Sequence, residues 1–393
     1  MGLFSSTTSY LGIDIGTSSI KMVELENYKN QAKLKTYGYA DISINVLSGA
    51  IDKNNQIIAD YIIDIAQKSN VQTRQVVAAL PTFSVFNFII NLPPMPKKDL
   101  SSAIKWEAKK FIPVPLEEMI LDWKILNKKK VKKTDKITKT VDAKESLPEE
   151  LNKDFKDAKA DINSSAKNTL KNEDKLITSS ADNSNYRILL TAAPKNLVAR
   201  YIDIFKRAKL NLLSLETEAF ALSRSLIGND NSTVMIVDIG ATTADICIIE
   251  EGVPILNRGI DTGGEFITKT IMNSLNINKE RAEQFKRDFG LAGGGFKNVP
   301  DTIQKSLNSI INEIKYVFEL YQRQGNSRID KIVLTGGSAF LPSLPEYLAE
   351  LLNIQVIVGD PWDRIVYPLD LKPALQEVGP RMSTAVGLAM RDI

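Results

Sequence analysis

The stretch VDIGATTADI, residues 237–246, closely repeats IDIGTSSIKM, residues 13–22. In each copy an apolar run precedes an aspartate, a glycine follows two positions later, and hydroxyl side chains lead into a second apolar run. Two apolar runs joined by a short glycine turn predict a β-hairpin. The chain is therefore predicted to make the same hairpin twice, with Asp14 and Asp238 at the same position of each copy.

A hairpin of this kind can hold phosphate. The exposed amides of a glycine turn bind anions, and the aspartate can hold Mg²⁺ through water. Either copy alone is equally compatible with an ordinary hairpin, but two matched copies favour a duplicated site that holds a triphosphate from both sides. A third glycine turn, LTGGSAFLP at residues 334–342, joins a strand to a helix and is typical of a site that an adenosine approaches closely.

Composition narrows the chemistry. The 393 residues contain no histidine and one cysteine, Cys247, which excludes a histidine base, a Ser-His triad and an internal disulfide. Any catalysis must use carboxylates, hydroxyls, lysines, backbone amides and a hard cation. With 43% hydrophobic residues the chain can bury more than one core, and no apolar run is long enough to span a bilayer. These features predict a cytoplasmic protein of more than one domain.

Residues 127–185 differ from the rest of the chain. They are rich in Lys, Asn and Asp and contain no Gly and no Arg, so this segment is predicted to be a disordered insertion. Its flanks, residues 118–126 and 186–193, are predicted to be neighbouring strands joined by the insertion. The Lys run lacks interleaved aromatic residues, which argues against nucleic acid as a partner.

The remaining sequence alternates strand and helix patterns, which indicates an α/β fold. Strands are predicted at residues 11–15, 20–25, 76–80 and 85–92, and around Asp238. Helices are predicted at residues 56–67, 101–111, 197–208, 265–274, 279–289 and 303–321, followed by the strand, turn and helix of residues 331–352.

The three glycine motifs, in this order, resemble those of the actin-like ATPase superfamily, which includes actin, DnaK-type chaperones, sugar kinases, MreB and FtsA. The resemblance implies two lobes, each with a duplicated ribonuclease-H-like sheet, and a nucleotide cleft between them. It also implies ATP and Mg²⁺ as cofactors. The sequence is compatible both with slow ATP hydrolysis and with binding alone.

The same resemblance assigns roles to individual residues. Asp14 and Asp238 would hold Mg²⁺ and, with Glu218, form the catalytic set, although Ala219 stands where the chaperones and MreB have a proline. Lys21 lies at the spacing of the phosphate-binding lysine of actin. The residues implied in nucleotide binding are Gly16, Thr17, Ser18, Ser19, Lys21, Gly240, Thr242, Thr243, Gly263, Gly264, Glu283, Lys286, Gly336, Gly337 and Ser338.

A closer resemblance, to the PilM family of type IV pilus assembly, covers nearly the whole chain outside the insertion. Its most specific string is WEAKKFIPVPLEE, which begins at Trp106. The family implies an ATP-binding adaptor at the cytoplasmic face of the inner membrane, with indirect membrane contact. Its partners would be the N-terminal peptide of a PilN-like membrane protein and pilus assembly ATPases. The residues implied in partner binding are Trp106, Phe111, Ile112 and Pro113.

The resemblance also implies a division into subdomains. Residues 8–82 and 205–228 would form the core of lobe 1, and residues 83–204 a peptide-binding subdomain. Residues 229–264 and 329–393 would form the core of lobe 2, with residues 265–328 as its subdomain. The alternative function is a filament-forming division or cytoskeletal ATPase of the FtsA or MreB type, and a homo-oligomer is compatible with either.

Overall fold

The computed structural model describes residues 9–42, 51–130, 184–292, 298–323 and 328–393, in which strands and helices alternate as predicted. The strands are β1 (Ser9–Ile15), β2 (Ser19–Tyr28), β3 (Gln31–Asp41), β4 (Gln75–Leu80), β5 (Phe86–Leu92), β6 (Met119–Lys130), β7 (Ser184–Pro194), β8 (Asn211–Thr217), β9 (Val234–Ile239), β10 (Ala244–Glu250), β11 (Val253–Ile260), β12 (Lys331–Thr335) and β13 (Gln355–Val358). The helices are α1 (Ile51–Lys68), α2 (Lys97–Ala108), α3 (Lys195–Arg207), α4 (Glu218–Leu222), α5 (Gly264–Leu275), α6 (Lys279–Asp288), α7 (Asn298–Arg323), α8 (Leu344–Leu352) and α9 (Lys372–Ala389).

The chain divides into unit 1, residues 1–85 and 194–393, and unit 2, residues 86–193. Unit 1 holds two five-stranded sheets of the same design, ordered β3-β2-β1-β4-β8 and β11-β10-β9-β12-β13. In both, the first three strands are antiparallel and the last two join in parallel. The predicted duplication is therefore confirmed at the level of whole sheets.

Helix α9 lies close against the first sheet because glycines remove the side chains that would separate them. A Cβ on Gly12 of β1 would lie 2.1 Å from the carbonyl oxygen of Ala385. A Cβ on Gly387 would lie 1.9 Å from the carbonyl oxygen of Ala221 in α4. The last described helix is thus fixed to both β1 and α4 by backbone contacts.

The second sheet has its own apolar core. Buried residues of β9 and β10 pack with the inner faces of α5 and α7, including Ile267, Ile271, Ile310 and Ile314. Both faces of its central strands are covered, which explains why the sequence there reads as continuous apolar runs.

Unit 2 is a three-stranded sheet ordered β5-β7-β6, with α2 packed on it. The strands that flank the insertion, β6 and β7, are neighbours, as predicted. Most of the insertion itself, residues 131–183, lies outside the described residues. Helix α2 begins and ends about three residues earlier than predicted, because Pro96 starts it and the approach to Pro113 disfavours further helix.

Candidate functional site

The two aspartate hairpins of unit 1 have the same backbone hydrogen bond in their turns. In the first, the amide of Gly16 donates to the carbonyl of Ser19 at 3.0 Å, and in the second the amide of Gly240 donates to the carbonyl of Thr243 at 3.0 Å. Each aspartate is paired across its hairpin with the residue seven positions later. For Asp14 this partner is Lys21, and for Asp238 it is Asp245.

The turns of the two hairpins meet. The Thr242 hydroxyl donates to the Thr17 hydroxyl at 2.7 Å, although the two residues belong to different sheets. The hydroxyl residues predicted to bind phosphate therefore come together at one place. Ser19 differs from the others, since it is 4% exposed and is the first residue of β2.

Lys21 and Asp14 form a buried ion pair. The Lys21 ammonium donates to Asp14 Oδ2 at 2.8 Å, and the side chains are 15% and 8% exposed. Burial alone would lower the pKa of Lys21, but the nearby carboxylates of Asp14 and Asp238 outweigh it and raise this pKa. Lys21 is therefore a positive charge that is bound to Asp14 and is also stabilised by Asp238, the two aspartates predicted to hold metal.

Glu218 is held at the same site, at the first residue of α4. One of its carboxylate oxygens accepts hydrogen bonds from the Thr82 hydroxyl at 2.7 Å and the Thr82 amide at 3.2 Å. Desolvation, followed by repulsion from Asp14, raises the pKa of Glu218 to about 7. A carboxyl with this pKa can accept a proton near neutral pH.

Asp238 and Asp245 complete a group of acids. Both side chains are partly exposed, yet they lie deep enough among protein atoms that desolvation raises the pKa of Asp238 to about 6. Desolvation and then repulsion from Glu218 raise the pKa of Asp245 well above its ordinary value. Asp245 was not predicted to belong to the site, although its spacing from Asp238 repeats that of Lys21 from Asp14.

One oxygen of this group of acids lacks a hydrogen-bond partner. Asp245 Oδ1 is buried without a hydrogen-bond partner, which is costly unless a ligand or water satisfies it. Within the described ranges, no three carboxylates or other metal-binding side chains are grouped to ligate an ion directly. The predicted role of Asp14 and Asp238 in holding Mg²⁺ stays a prediction, and it would have to act through water ligands of the ion.

The third glycine turn closes against the second hairpin. Gly336 has a φ of +83°, and a Cβ on it would lie 2.3 Å from Asp238 Oδ1. A side chain there would occupy the space beside the carboxylate, so the position requires glycine. Gly337, by contrast, would place a Cβ no closer than 3.8 Å to any other group, which leaves open space beside it.

The residues predicted to surround adenosine also meet. The Lys286 ammonium donates to Glu283 at 2.8 Å and to the Gly264 carbonyl at 3.2 Å. A Cβ on Gly264 would lie 2.6 Å from the Ser338 hydroxyl. The amide of Gly264 also donates to the Gly240 carbonyl at 2.9 Å, and Gly263 is packed equally closely against that turn. The geometry thus joins the predicted adenosine residues directly to the second phosphate turn.

The raised acid pKa values make the stability of the protein depend on pH. Glu218 and Asp238 bind protons more tightly in the folded state, so this contribution is complete below their unfolded pKa values of about 4 and is lost as pH rises through about 6 to 7. We expect the melting temperature without ligand to fall between about pH 5 and pH 8. The fall should be smaller in Glu218→Gln, as measured by differential scanning calorimetry.

Asp230→Asn is the control for this titration. A hydrogen bond from Lys331 is the main cause that lowers the pKa of Asp230 to about 2, outside the pH window in question. Asp230→Asn should therefore show the same fall as the unchanged protein. An equal fall in Glu218→Gln would contradict the assignment of the raised pKa to this group.

Unit 2 carries the residues predicted to bind a partner, and three of the four are at its surface. Trp106 is 63% exposed and Phe111 is 45% exposed, and Pro113 is exposed beside them. The Lys110 ammonium lies 4.2 Å from the centre of the Trp106 ring, and the Phe111 ring lies 5.2 Å from that of Phe88. We call Trp106, Phe111, Pro113 and Val114 the aromatic face of unit 2.

Ile112 does not belong to this face. It is 5% exposed and packs in the core of unit 2 with Ile104 and Ala108 of α2. The residue after an exposed phenylalanine points inward because the chain turns there, with the amide of Ile112 donating to the Ala108 carbonyl at 3.0 Å. Its predicted contact with a partner is therefore replaced by a role in the fold.

Two five-stranded sheets of the same design, each with an aspartate hairpin, are typical of the actin-like ATPase fold. A solved PilM–PilN type IV pilus biogenesis complex contains a chain that superimposes with a TM-score of 0.73 at 23% identity, covering 97% of this chain and 98% of that one. The ethanolamine utilization protein EutJ from Carboxydothermus hydrogenoformans superimposes with a TM-score of 0.52 at 15% identity, over 98% of this chain and 89% of that one.

The family model of the type IV pilus assembly protein PilM matches residues 12–146 and 130–393, and the chain belongs to this family. Among curated proteins, the cell division protein FtsA of Bacillus subtilis is 24% identical over 194 residues, which is 44% of each chain. The chain thus spans less than half the length of that relative. None of the helices in the described ranges combines the length and apolar character needed to cross a bilayer.

Proposed function

We propose that this chain is an ATP-binding adaptor of type IV pilus assembly, which binds the N-terminal tail of a PilN-like inner-membrane protein. The observation that carries the nucleotide half is the hydrogen bond between Thr242 and Thr17, which joins two hairpin turns of the same design. The exposed aromatic face of unit 2 supports the partner half. Pilus assembly ATPases are proposed as further partners on the family resemblance alone.

For the nucleotide, the turn amides and the hydroxyls of Thr17, Ser18, Thr242 and Thr243 would bind the phosphates. Lys21 would neutralise their charge from within the site, since its pKa keeps it protonated. When bound, Mg²⁺ would supply positive charge to the phosphates, with Asp14 and Asp238 orienting its water ligands. Glu218 would accept a proton from water if ATP is hydrolysed, but the adaptor function requires only that ATP be bound.

Two features of unit 2 suit the binding of an extended peptide, namely the edge strands of its sheet and its exposed aromatic face. The order β5-β7-β6 leaves β5 and β6 at the sides of the sheet, where an extended peptide can add through backbone hydrogen bonds. Exposed aromatic side chains beside a sheet edge give pockets for alternate apolar side chains of such a peptide. The solved complex of a PilM chain with PilN supports this choice of partner.

The test is fluorescence polarisation of the full chain with a labelled N-terminal peptide of a PilN-like membrane protein from the same organism. We expect binding by the full chain, and we expect Trp106→Ser and Phe111→Ser each to weaken it about tenfold, because exposed aromatic anchors commonly contribute more than about 1 kcal/mol. Tyr316→Ser is the matched control, since Tyr316 of unit 1 is 43% exposed and should leave peptide affinity unchanged.

Each variant must keep the melting temperature and the circular dichroism spectrum of the unchanged chain, because the ATP site lies in unit 1 and its affinity does not report on the folding of unit 2. Failure of the unchanged chain to bind the peptide would remove the adaptor proposal. The FtsA relatives favour a filament-forming ATPase as the second candidate. Sedimentation of the protein with ATP would then distinguish that function, because polymers pellet and an adaptor does not.

A further inference from the structure

Arg381 contacts residues beside both the third glycine turn and the first aspartate hairpin. It follows Pro380 in α9, whose carbonyl accepts a hydrogen bond from the Gly336 amide at 3.1 Å. A Cβ on Gly337 would lie 3.8 Å from Arg381 Cγ and 4.0 Å from Cδ, so the side chain borders the open space beside that glycine.

The other end of the Arg381 side chain reaches the first hairpin. Its guanidinium donates to Asp41 Oδ1 at 2.9 Å and lies 5.1 Å from the centre of the Tyr39 ring. Asp41 is paired in register with Ser19, and the next residue, Ile42, donates its amide to the Ser18 carbonyl at 2.8 Å. The guanidinium is therefore held beside the first phosphate turn.

Charge also points to this residue. Asp14, Glu218, Asp238 and Asp245 would together repel a polyphosphate, and the Lys21 ammonium is already bound to Asp14. The pKa of Lys21 is affected first by burial, which lowers it, and then by Asp14 and Asp238, which raise it. The positive charge of Arg381 also lowers this pKa, which shows that its electric field extends to the proposed phosphate site. A second cation at this position would offset part of the repulsion.

The present partner of Arg381 is weakly held. The Asp41 side chain is 74% exposed and that of Arg381 is 32% exposed, and ion pairs at such exposure contribute little to stability. A phosphate group can accept two parallel hydrogen bonds from guanidinium, as a carboxylate can, and the polyphosphate of ATP carries more negative charge than one carboxylate. Exchange of Asp41 for phosphate would thus cost little stability.

We propose that Arg381 is a phosphate-binding residue of the nucleotide site, and that its guanidinium leaves Asp41 to bind a phosphate oxygen of ATP. The inference rests on the proposed binding of ATP and adds to it a residue from the last described helix. It also makes Asp41 a competitor for the same guanidinium.

The experiment is titration calorimetry of the full chain with Mg·ATP, comparing R381A, D41N and the double variant with the unchanged protein. We expect R381A to weaken binding about tenfold, the effect of losing a hydrogen bond to a charged group. D41N should leave affinity unchanged or raise it, since it removes the competitor. The double variant should match R381A.

The opposite outcome identifies a structural link instead. If the ion pair merely fixes β3 to α9, R381A and D41N will weaken binding by the same factor, which would overturn the proposal. Equal affinity of R381A and the unchanged chain would overturn it as well. Should R381A fail to fold, R381Q replaces it with the same expectation. Absence of ATP binding by the unchanged chain would overturn the proposed nucleotide function itself, together with this assignment.

Discussion

Asp238→Asn is expected to weaken Mg·ATP binding about 10- to 100-fold, the loss typical of removing a group that orients the ligands of a metal. The same substitution is expected to raise the melting temperature of the protein without ligand at pH 8. Desolvation makes the Asp238 carboxylate unfavourable in the folded state, as its pKa of about 6 shows, and asparagine removes that charge at nearly constant volume. Calorimetric titration and thermal unfolding measure the two effects.

A substitution that weakens ATP binding but raises the melting temperature identifies an acid that holds ligand, whereas loss of a structural acid lowers the melting temperature. Asp230→Asn is again the matched control, because Lys331 binds Asp230 at 2.6 Å and stabilises its charge. It should lower the melting temperature and leave ATP affinity unchanged.

Asp14→Ala should also weaken ATP binding, but it leaves the buried Lys21 ammonium unpaired and should therefore destabilise the protein. Unchanged ATP affinity in both Asp14→Ala and Asp238→Asn would remove the proposed nucleotide site.

Gly12→Ala and Gly387→Ala are expected to have the largest effects on folding. In each, the new methyl group would meet a backbone carbonyl at about 2 Å, and a backbone cannot rotate away as a side chain can. Overpacking costs about 1 to 3 kcal/mol where side chains can adjust, so we expect at least about 3 kcal/mol here. That corresponds to a fall in melting temperature of about 4 to 5 °C for a chain of this size, or to loss of soluble protein.

Gly337→Ala is the control for this pair. Its Cβ would meet only the Arg381 side chain, at 3.8 Å, which is ordinary contact. Its melting temperature should stay within about 2 °C of that of the unchanged protein, the range of a typical surface substitution. A similar stability for Gly12→Ala would show that α9 can move away from β1, contrary to the contacts described.

The duplicated hairpins could be predicted because local sequence determines them. An aspartate, a glycine turn and two apolar runs specify a hairpin without reference to the rest of the chain, and both copies formed as expected. Strands β3 and β11 could not be identified in this way. They lie at the outer sides of their sheets, and Lys33, Lys35 and Pro254 interrupt the apolar pattern that marks a central strand.

The acids of the site were only partly predictable. Asp14 and Asp238 stand within the repeated motif, whereas Asp245 needed a comparison of register between the two copies. Arg381 carries no local signal, because its position beside the phosphate turns depends on the packing of α9 across both sheets. The burial of Ile112 likewise depends on a turn after α2 that places neighbouring residues on opposite sides. The positions of these residues depend on contacts between distant segments, which the local sequence pattern does not predict.

Pro380 gives α9 a mechanical property. As a proline inside a helix it donates no backbone hydrogen bond to the preceding turn, so the helix resists bending least at this point. The second sheet is attached here, through the Gly336 amide and the Thr335 hydroxyl, which donates to the Pro380 carbonyl at 2.9 Å. The first sheet is attached further along, where Ala385 and Ala389 lie against Gly12. One helix can therefore serve as a pivot, and a small bend at Pro380 would rotate the two sheets apart while both attachments stay intact.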